Sequence, residues 1–185
     1  LGDVYKRQLL RMVSEVEGIG RVRFVTSHPK DFSDKLVEEI ADNPAVCEYL
    51  HLPAQAGSDR VLEAMKRGYT RSGYLELVEK IRKKTPDIAL SSDFIVGFPG
   101  EEEEDFEQTL DLIRRVRYHN VYSFRYSVRP GTAAAGMKNQ TPPEVRAERL
   151  RLLQELQDGI TGQIMKEYEG KTVEVLPEGP SKHGQ

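Results

Sequence analysis

"SSDFIVGFPGEEEEDF", residues 91–106, is the stretch that decides the fold, because it joins a strand-like run to a helix through one tight turn. Gly97 and Gly100 in the turn can adopt positive φ or let the backbone approach a flat ligand. The glutamates at 101–104 complement the positive end of a helix dipole, and Glu101 is the one near enough to the strand end to reach a ligand. The stretch therefore predicts a βα unit whose turn either reverses the chain or forms the lip of a ligand site.

The same alternation of strand-like and helix-like runs occurs four times along the chain. Because the strand-like runs lack strict polar alternation, they favour a parallel sheet buried on both faces, either a barrel or a doubly wound sheet. The predicted strands are 21–25, 47–52, 88–96 and 121–128, and the predicted helices are 31–41, 59–67, 72–84, 101–117 and 142–168.

Ligands of such sheets bind at the carboxyl ends of the strands. In this sequence those ends carry the four unusual loops, at 27–29, 53–58, 97–101 and 129–132. We therefore expect a ligand site to be assembled from these loops.

Composition limits the classes of function. The chain has 185 residues with a net charge of −3, so it has no general attraction to nucleic acid, and an RNA partner would need a local basic patch. No apolar run approaches the ~20 residues that span a bilayer, and the sequence predicts a cytoplasmic protein. Cys47 is the single cysteine, which cannot form an internal disulfide or hold an iron–sulfur cluster alone.

Several polar residues have both a structural and a functional interpretation. Ser58 or Asp59 can cap the following helix, and His28 and His51 are more typical of packed histidines than of catalytic ones. A basic patch at 66–71 can contact phosphate or form a solvated helix end. Arg129, at a strand end, can contact a carboxylate or phosphate or belong to an ordinary turn.

Four motifs occur in one order: "TSHPKDF" at 26–32, "EYLHLPAQAGSDRVLEAMKRGYTR" at 48–71, "SSDFIVGFPGEEEEDFEQTL" at 91–110 and "FRYSVRPGTAAA" at 124–135. Together they resemble the radical S-adenosylmethionine methylthiotransferases, over roughly residues 9–185. The form "HLPAQAGSD" is more similar to the members that modify an adenosine of tRNA than to those that modify a ribosomal protein. Relatives specific for threonylcarbamoyladenosine remain an alternative.

The resemblance implies an α/β fold, a partial TIM-like barrel of about four βα units, with S-adenosylmethionine and a 4Fe–4S cluster at the strand ends. It also implies a tRNA substrate, methylthiolated at C2 of dimethylallyladenosine beside the anticodon, and a reductant for the cluster. Asp93 stands where radical enzymes usually have glycine. The implied cofactor-binding residues are Gln55, Ser58, Asp93, Ile95, Gly97, Phe98, Pro99, Gly100, Glu101 and Arg129, and the implied RNA-binding residues are Lys66, Arg67, Arg71 and Lys171.

The resemblance also predicts a domain organisation. Residues 1–8 match nothing in the family and are expected to be a non-native leader, residues 9–169 the C-terminal part of the barrel, and residues 170–185 the start of an RNA-binding TRAM domain with an alternating strand. The Cys-x-x-x-Cys-x-x-Cys motif of the family is expected upstream of Leu9. The chain by itself is therefore expected to be inactive and, with an unpaired leading strand edge, prone to aggregation.

Two alternatives of other classes remain from the residues alone. One is a complete small aldolase or isomerase that binds phosphate at the Gly-Phe-Pro-Gly turn with His28 or Asp93 as base. The other is a non-catalytic RNA-binding module that uses the basic patch at 66–71 and the C-terminal tail.

Overall fold

A computed structural model of the chain describes residues 3–24, 29, 32–176 and 179, except for the side chains of residues 3 and 4. Helices and strands alternate along this part of the chain, which confirms the α/β class. The helices are α1 Asp3–Ser14, α2 Asp34–Asp42, α3 Asp59–Ala64, α4 Arg71–Lys84, α5 Glu103–Val116 and α6 Pro143–Lys166, and the strands are β1 Tyr49–His51, β2 Ala89–Val96 and β3 Asn120–Arg125.

The three strands form one parallel sheet in the order β1-β2-β3. The predicted strand at 21–25 contributes a single parallel bridge, between Val22 and Val46, just before β1. This bridge places the first βα unit beside β1, so the units follow each other across the sheet as in an open part of a barrel. Ser27 and His28, from the first predicted ligand loop, lie outside the described residues.

The two faces of the sheet have different environments. Leu50, Leu90 and Phe94 are fully buried in one core cluster with residues of α2, α4, α5 and α6. On the opposite face, Tyr122 and Phe124 of β3 are 48% and 54% exposed. The expectation of a sheet buried on both faces is therefore wrong for β3, because in the described part of the chain the helices cover one face.

The glutamate run begins α5 as the capping interpretation predicts. Glu102 is the N-cap and forms a capping box with Asp105, while Glu103 and Glu104 lie in the first turn. Before α6, the hydroxyl of Thr141 donates to the carbonyl of Phe98 at 3.0 Å. The helix begins at Pro143, where a missing N–H has no intrahelical partner to lose.

The two ends of the described chain contain one helix and one segment without regular structure. Residues 171–176 have no regular secondary structure, so the alternating strand predicted there is absent. Helix α1 runs through the predicted boundary at residue 8 without a break. Among the described residues, no helix combines the length and apolar character needed to cross a membrane.

Candidate ligand site at the strand ends

The Gly-Phe-Pro-Gly turn after β2 is held by its own hydrogen bonds. Gly97 and Gly100 have φ of +70° and +82°, in the left-handed region that favours glycine. The backbone N–H of Gly97 donates to Oε1 of Glu101 at 2.7 Å, and the N–H of Glu101 donates to the carbonyl of Phe98 at 2.9 Å. The turn is therefore closed on itself before any ligand is considered.

Neighbouring side chains fill the space beside both glycines. A Cβ at Gly97 would overlap Cγ of Arg146, and one at Gly100 would overlap the amide of Asn139. The space beside these glycines, which was predicted to let the backbone approach a ligand, is occupied by side chains of α6 and of the loop before it.

Glu101 forms a buried ion pair with α6. Its carboxylate lies 2.8 Å from Nη1 of Arg149, and the two side chains are 2% and 7% exposed. Burial raises the pKa of Glu101, although the hydrogen bond from Gly97 and the charge of Arg149 act in the opposite direction. Glu101 was predicted to reach a ligand, but the structure directs its carboxylate into the turn and to Arg149.

A cavity of about 610 Å³ opens where the three strands end. This volume lies within the usual range for a small-molecule site. Seven of the residues predicted to bind cofactor or RNA line it, namely Gln55, Lys66, Arg67, Asp93, Ile95, Phe98 and Arg129, together with Phe124, Arg125 and Tyr126.

The backbone around Gln55 fixes one wall of this cavity. Gln55 has a φ of +66°, and its N–H donates to the carbonyl of Asp93 at 2.8 Å while its carbonyl accepts from Ile95 at 2.9 Å. This bridge prolongs the β1–β2 pairing past His51 and brings Gln55 beside Asp93. A left-handed non-glycine residue costs on the order of 1–2 kcal/mol, which the bridge helps to offset.

The charged side chains that line the cavity are mostly cationic. Four cationic side chains surround it, Lys66, Arg67, Arg125 and Arg129, whereas Asp93 is the only carboxylate among the lining residues. In the described structure, Nε of Arg67 is buried without a hydrogen-bond partner. Buried donors are almost always paired in proteins, so this nitrogen is available to an acceptor.

Other predicted residues lie away from this cavity. Ser58 donates to Asp105 at 2.5 Å, and Arg71 pairs with Asp111. Lys171 lines a separate cavity of about 490 Å³ at the opposite edge of the sheet, with Arg82 and His119. Gly97, Pro99, Gly100 and Glu101 form the turn behind the cavity and are absent from its lining.

Sequence reasoning missed a polar network on the open face of the sheet. His51 Nδ1 lies 2.9 Å from Oγ of Ser91, and Tyr49 Oη lies 2.7 Å from the same oxygen. Nε2 of His51 lies 3.3 Å from Oδ2 of Asp93. The residue types alone did not indicate this network, but the strand register does. His51 pairs with Ser91, which places both side chains on the same face as Asp93.

A metal centre has no support in the described residues, where no group of three or more His, Cys, Asp or Glu side chains could hold an ion. Cys47, the chain's one cysteine, is half-buried and free. This chain's own residues therefore do not fit a 4Fe–4S cluster, which needs several thiolates.

The sequence between residues 3 and 113 matches the model of the Radical SAM superfamily. The chain therefore belongs to the radical S-adenosylmethionine superfamily, and the predicted resemblance is confirmed. This membership argues against the small aldolase or isomerase considered from the residues alone.

Two curated proteins that are similar to this chain over most of its length share one name. The chain is 54% identical over 175 residues to tRNA-2-methylthio-N(6)-dimethylallyladenosine synthase of Carboxydothermus hydrogenoformans, and 53% identical over 178 residues to the protein of that name from Aquifex aeolicus. These matches cover 95% and 96% of this chain. The chain spans about 40% of the length of each of these curated relatives.

The fold has a counterpart among solved structures. Coproporphyrinogen III oxidase of Escherichia coli, a radical SAM enzyme, superimposes with a TM-score of 0.63 over 85% of this chain and 36% of its own. At 16% identity, this likeness concerns the fold alone, and it supports the partial barrel.

Proposed function

We propose that this chain forms part of a cytoplasmic radical S-adenosylmethionine enzyme that methylthiolates C2 of N(6)-dimethylallyladenosine beside the anticodon of tRNA. The observation that carries the proposal is the 54% identity over 95% of the chain to a relative with that name. The cavity at the strand ends supports it, because it lies where α/β folds bind their ligands.

S-adenosylmethionine is the cofactor we assign to this cavity. When bound, it supplies a 5′-deoxyadenosyl radical on reductive cleavage and, from a second molecule, the methyl group. The unpaired Nε of Arg67 fits an acceptor of such a ligand. Gln55 and Asp93 are suited to its polar groups, and Ile95 and Phe98 to its flat adenine.

The remaining residues of the cavity act by orientation and exclusion of water. Phe98 and Tyr126 pack edge to face with ring centroids 5.3 Å apart, which forms a stable apolar wall. Lys66 and Arg129 place positive charge at the lining, where tRNA phosphates can be neutralised. We propose that the cluster ligands and the contact with the reductant are supplied by residues outside this chain.

A chimera tests the proposal. The Carboxydothermus hydrogenoformans relative, with its matching segment replaced by this chain, would be expressed in cells that lack their own methylthiotransferase. We expect the 2-methylthio derivative of N(6)-dimethylallyladenosine in digests of their tRNA, detected by mass spectrometry. The matched control carries Lys138→Ala, an exposed residue outside the cavity lining, and should behave like the parent chimera.

The possible outcomes test the identity of the substrate and the reaction class separately. A methylthiolated threonylcarbamoyladenosine instead would contradict the substrate assignment while retaining the enzyme class. No methylthiolated nucleoside from a soluble chimera that carries its cluster would overturn the proposed function.

A further inference from the structure

The polar network on the open face of the sheet consists of Tyr49, His51, Ser91 and Asp93. Ser91 is fully buried at its centre and contacts both Tyr49 and His51 through one hydroxyl. Such a buried hydroxyl with two partners fixes the directions of both side chains, because moving either leaves a buried polar group unpaired.

The network restricts where His51 can carry its proton. If Nε2 were unprotonated, its lone pair would face the carboxylate of Asp93 at 3.3 Å, which is repulsive. With Nε2 protonated, Nδ1 can accept from Ser91, whose oxygen in turn accepts from Tyr49. This arrangement favours the proton on Nε2 in the neutral imidazole, 3.3 Å from Oδ2 of Asp93.

Aromatic contacts hold the same network from the side. The ring of His51 packs edge to face against Tyr122, with centroids 5.8 Å apart. The guanidinium of Arg23 lies 4.0 Å from the ring centroid of Tyr49. The side chain of His51 is 17% exposed and is held by these contacts. The side chain of Asp93 is 31% exposed and remains accessible to a ligand.

Asp93 connects this network to the ligand cavity. It lines both the cavity of about 610 Å³ at the strand ends and an adjoining one of about 480 Å³ on the open face. Its Oδ2 faces His51, and in the described part of the chain no hydrogen bond or ion pair involves its Oδ1. As the only carboxylate in a cationic lining, it suits a hydrogen-bond donor of the ligand.

We propose that His51 is a positioning residue that orients the Asp93 carboxylate, so that Asp93 accepts a hydrogen bond from a hydroxyl or ammonium group of a nucleoside ligand. The nature of the ligand rests on the proposed function, whereas the orientation of Asp93 by His51 does not. The role is specific to His51, since it is the side chain that joins buried Ser91 to the cavity.

Calorimetric titration of the chimera with S-adenosylhomocysteine tests the binding step. We expect Asp93→Ala and His51→Ala each to weaken binding by roughly tenfold or more, as for loss of a hydrogen bond to a charged group. Together they should weaken it little more than Asp93→Ala alone, because His51 acts through Asp93. His51→Gln, which keeps an N–H donor, should recover part of the affinity.

His119→Gln is the matched control. His119 is a second half-buried histidine that lines the cavity at the opposite edge of the sheet. This variant should bind S-adenosylhomocysteine like the parent chimera. Thermal melting of each variant identifies loss of binding that comes from unfolding, and His51→Gln then serves as the test variant.

A spectroscopic measurement tests the orientation independently of any ligand. Nitrogen-15 NMR of the chimera should show Nε2 of His51 protonated in the neutral imidazole, and Asp93→Ala should shift the Nε2 resonance because the carboxylate beside it is lost. An Nδ1-protonated tautomer, or an Nε2 resonance unaffected by Asp93→Ala, would overturn the proposed network.

Adenosine and methionine, used as competitors, distinguish which group of the ligand donates a hydrogen bond to Asp93. Competition by adenosine that is lost in Asp93→Ala assigns the ribose hydroxyls, and competition by methionine that is lost assigns the ammonium. Unchanged affinity of His51→Ala, or no binding by the parent chimera, would overturn the inference. If the chimera still methylthiolates tRNA in that case, the proposed function stands without this role for His51.

Discussion

Gly97 combines two requirements that the sequence alone does not separate. Its φ of +70° favours glycine, and its missing Cβ makes room for Arg146. The guanidinium of Arg146 donates to the carbonyls of Thr141 and Tyr126 at 2.8 and 2.9 Å. A single glycine therefore allows α6 to hold the loop after β3.

Gly97→Ala should destabilise the protein by about 2–4 kcal/mol, because backbone strain and a displaced Arg146 add together. Chemical denaturation measures the change. Gly131→Ala is the matched control, since Gly131 has a φ of +82° but no heavy atom within 4 Å of the added Cβ. Equal losses in the two variants would mean that the contact with Arg146 contributes nothing.

Arg149→Met should cost about 3 kcal/mol of folding free energy at neutral pH, because it leaves the buried carboxylate of Glu101 without its counter-charge. Arg151→Met is the control on the exposed side of the same helix, where Arg151 pairs with Glu148 and Glu155 in solvent. That variant should change the free energy of unfolding very little.

The same pair has a defined pH dependence. Burial already raises the pKa of Glu101 above its ordinary value of 4.5, and removing Arg149 raises it further. A group with a raised pKa contributes stability below its unfolded pKa and loses it as the pH rises through the folded pKa. The deficit of Arg149→Met should therefore shrink below pH 4.5 and be complete above the raised pKa; a deficit independent of pH would contradict this account.

Residue-scale prediction from the sequence had a clear physical limit. The resemblance implied Gln55, Asp93 and Ile95 as cofactor-binding residues, and all three line the cavity. Hydrophobic runs located the strand ends near which they lie. His51 was interpreted as a packed histidine, since its contacts with Ser91 and Asp93 depend on strand register. Register is a property of the paired strands and cannot be obtained from one histidine.

At the scale of the element, the start of α5 shows how a charge run becomes specific structure. Burial acts to raise the pKa of Asp105, but hydrogen bonds from Arg60, from Ser58 and from a backbone N–H outweigh it and lower the pKa. Asp105 thereby ties α5 to the start of α3.

Asp105→Asn should cost about 1–2 kcal/mol at neutral pH, as for loss of a helix cap with a charged partner. A group with a lowered pKa contributes stability above its unfolded pKa, here near 3.8, and loses it as the pH falls through the folded pKa. The deficit should therefore close in strong acid, at lower pH than the deficit expected for Arg149→Met. Urea denaturation across the acid range measures it.

Glu104→Gln is the control for this helix start. Glu104 lies in the same first turn and interacts with the same helix dipole, but it makes none of the hydrogen bonds that hold Asp105. Its replacement should have a small effect without an acid-dependent deficit. A similar loss in both variants would indicate that the dipole, and not the capping box, stabilises this end of α5.

The elements themselves were predicted well where hydrophobic periodicity is strong. Helices α4, α5 and α6 lie within about two residues of their predicted bounds. Helices α4 and α5 bury apolar residues at helical spacing, and α6 has prolines at its start. The strand-like run at 171–176 is exposed and without regular structure. Alternation alone predicts a strand, but a strand also needs a paired neighbour, which the described residues do not provide.

At the scale of the whole molecule, the net charge is −3, but positive side chains gather around the cavity at the strand ends. Lys66, Arg67, Arg125 and Arg129 come from two segments that are distant in sequence and meet around one cavity. The sequence predicted a basic patch at 66–71, but only the fold shows that it joins the residues after β3.

Lys66→Ala with Arg67→Ala should weaken tRNA binding by the chimera and reduce the slope of log affinity against log salt by about 0.7–0.9 for each phosphate that the variant no longer neutralises. Filter binding over a salt series measures both. Lys171→Ala is the matched control, because Lys171 lines the cavity at the opposite edge of the sheet. If Lys171→Ala had the larger effect, the RNA would contact that edge and not the strand ends.

The central claim is that the nucleoside ligand of this protein binds in the cavity at the carboxyl ends of the strands. The measurement that tests it most directly is a map of backbone amide NMR shifts on titration of the chimera with S-adenosylhomocysteine. The account predicts shifts at Gln55, Ile95 and Arg129, with His119 and Lys171 unaffected. Shifts confined to His119 and Lys171, or none at saturating ligand, would contradict it.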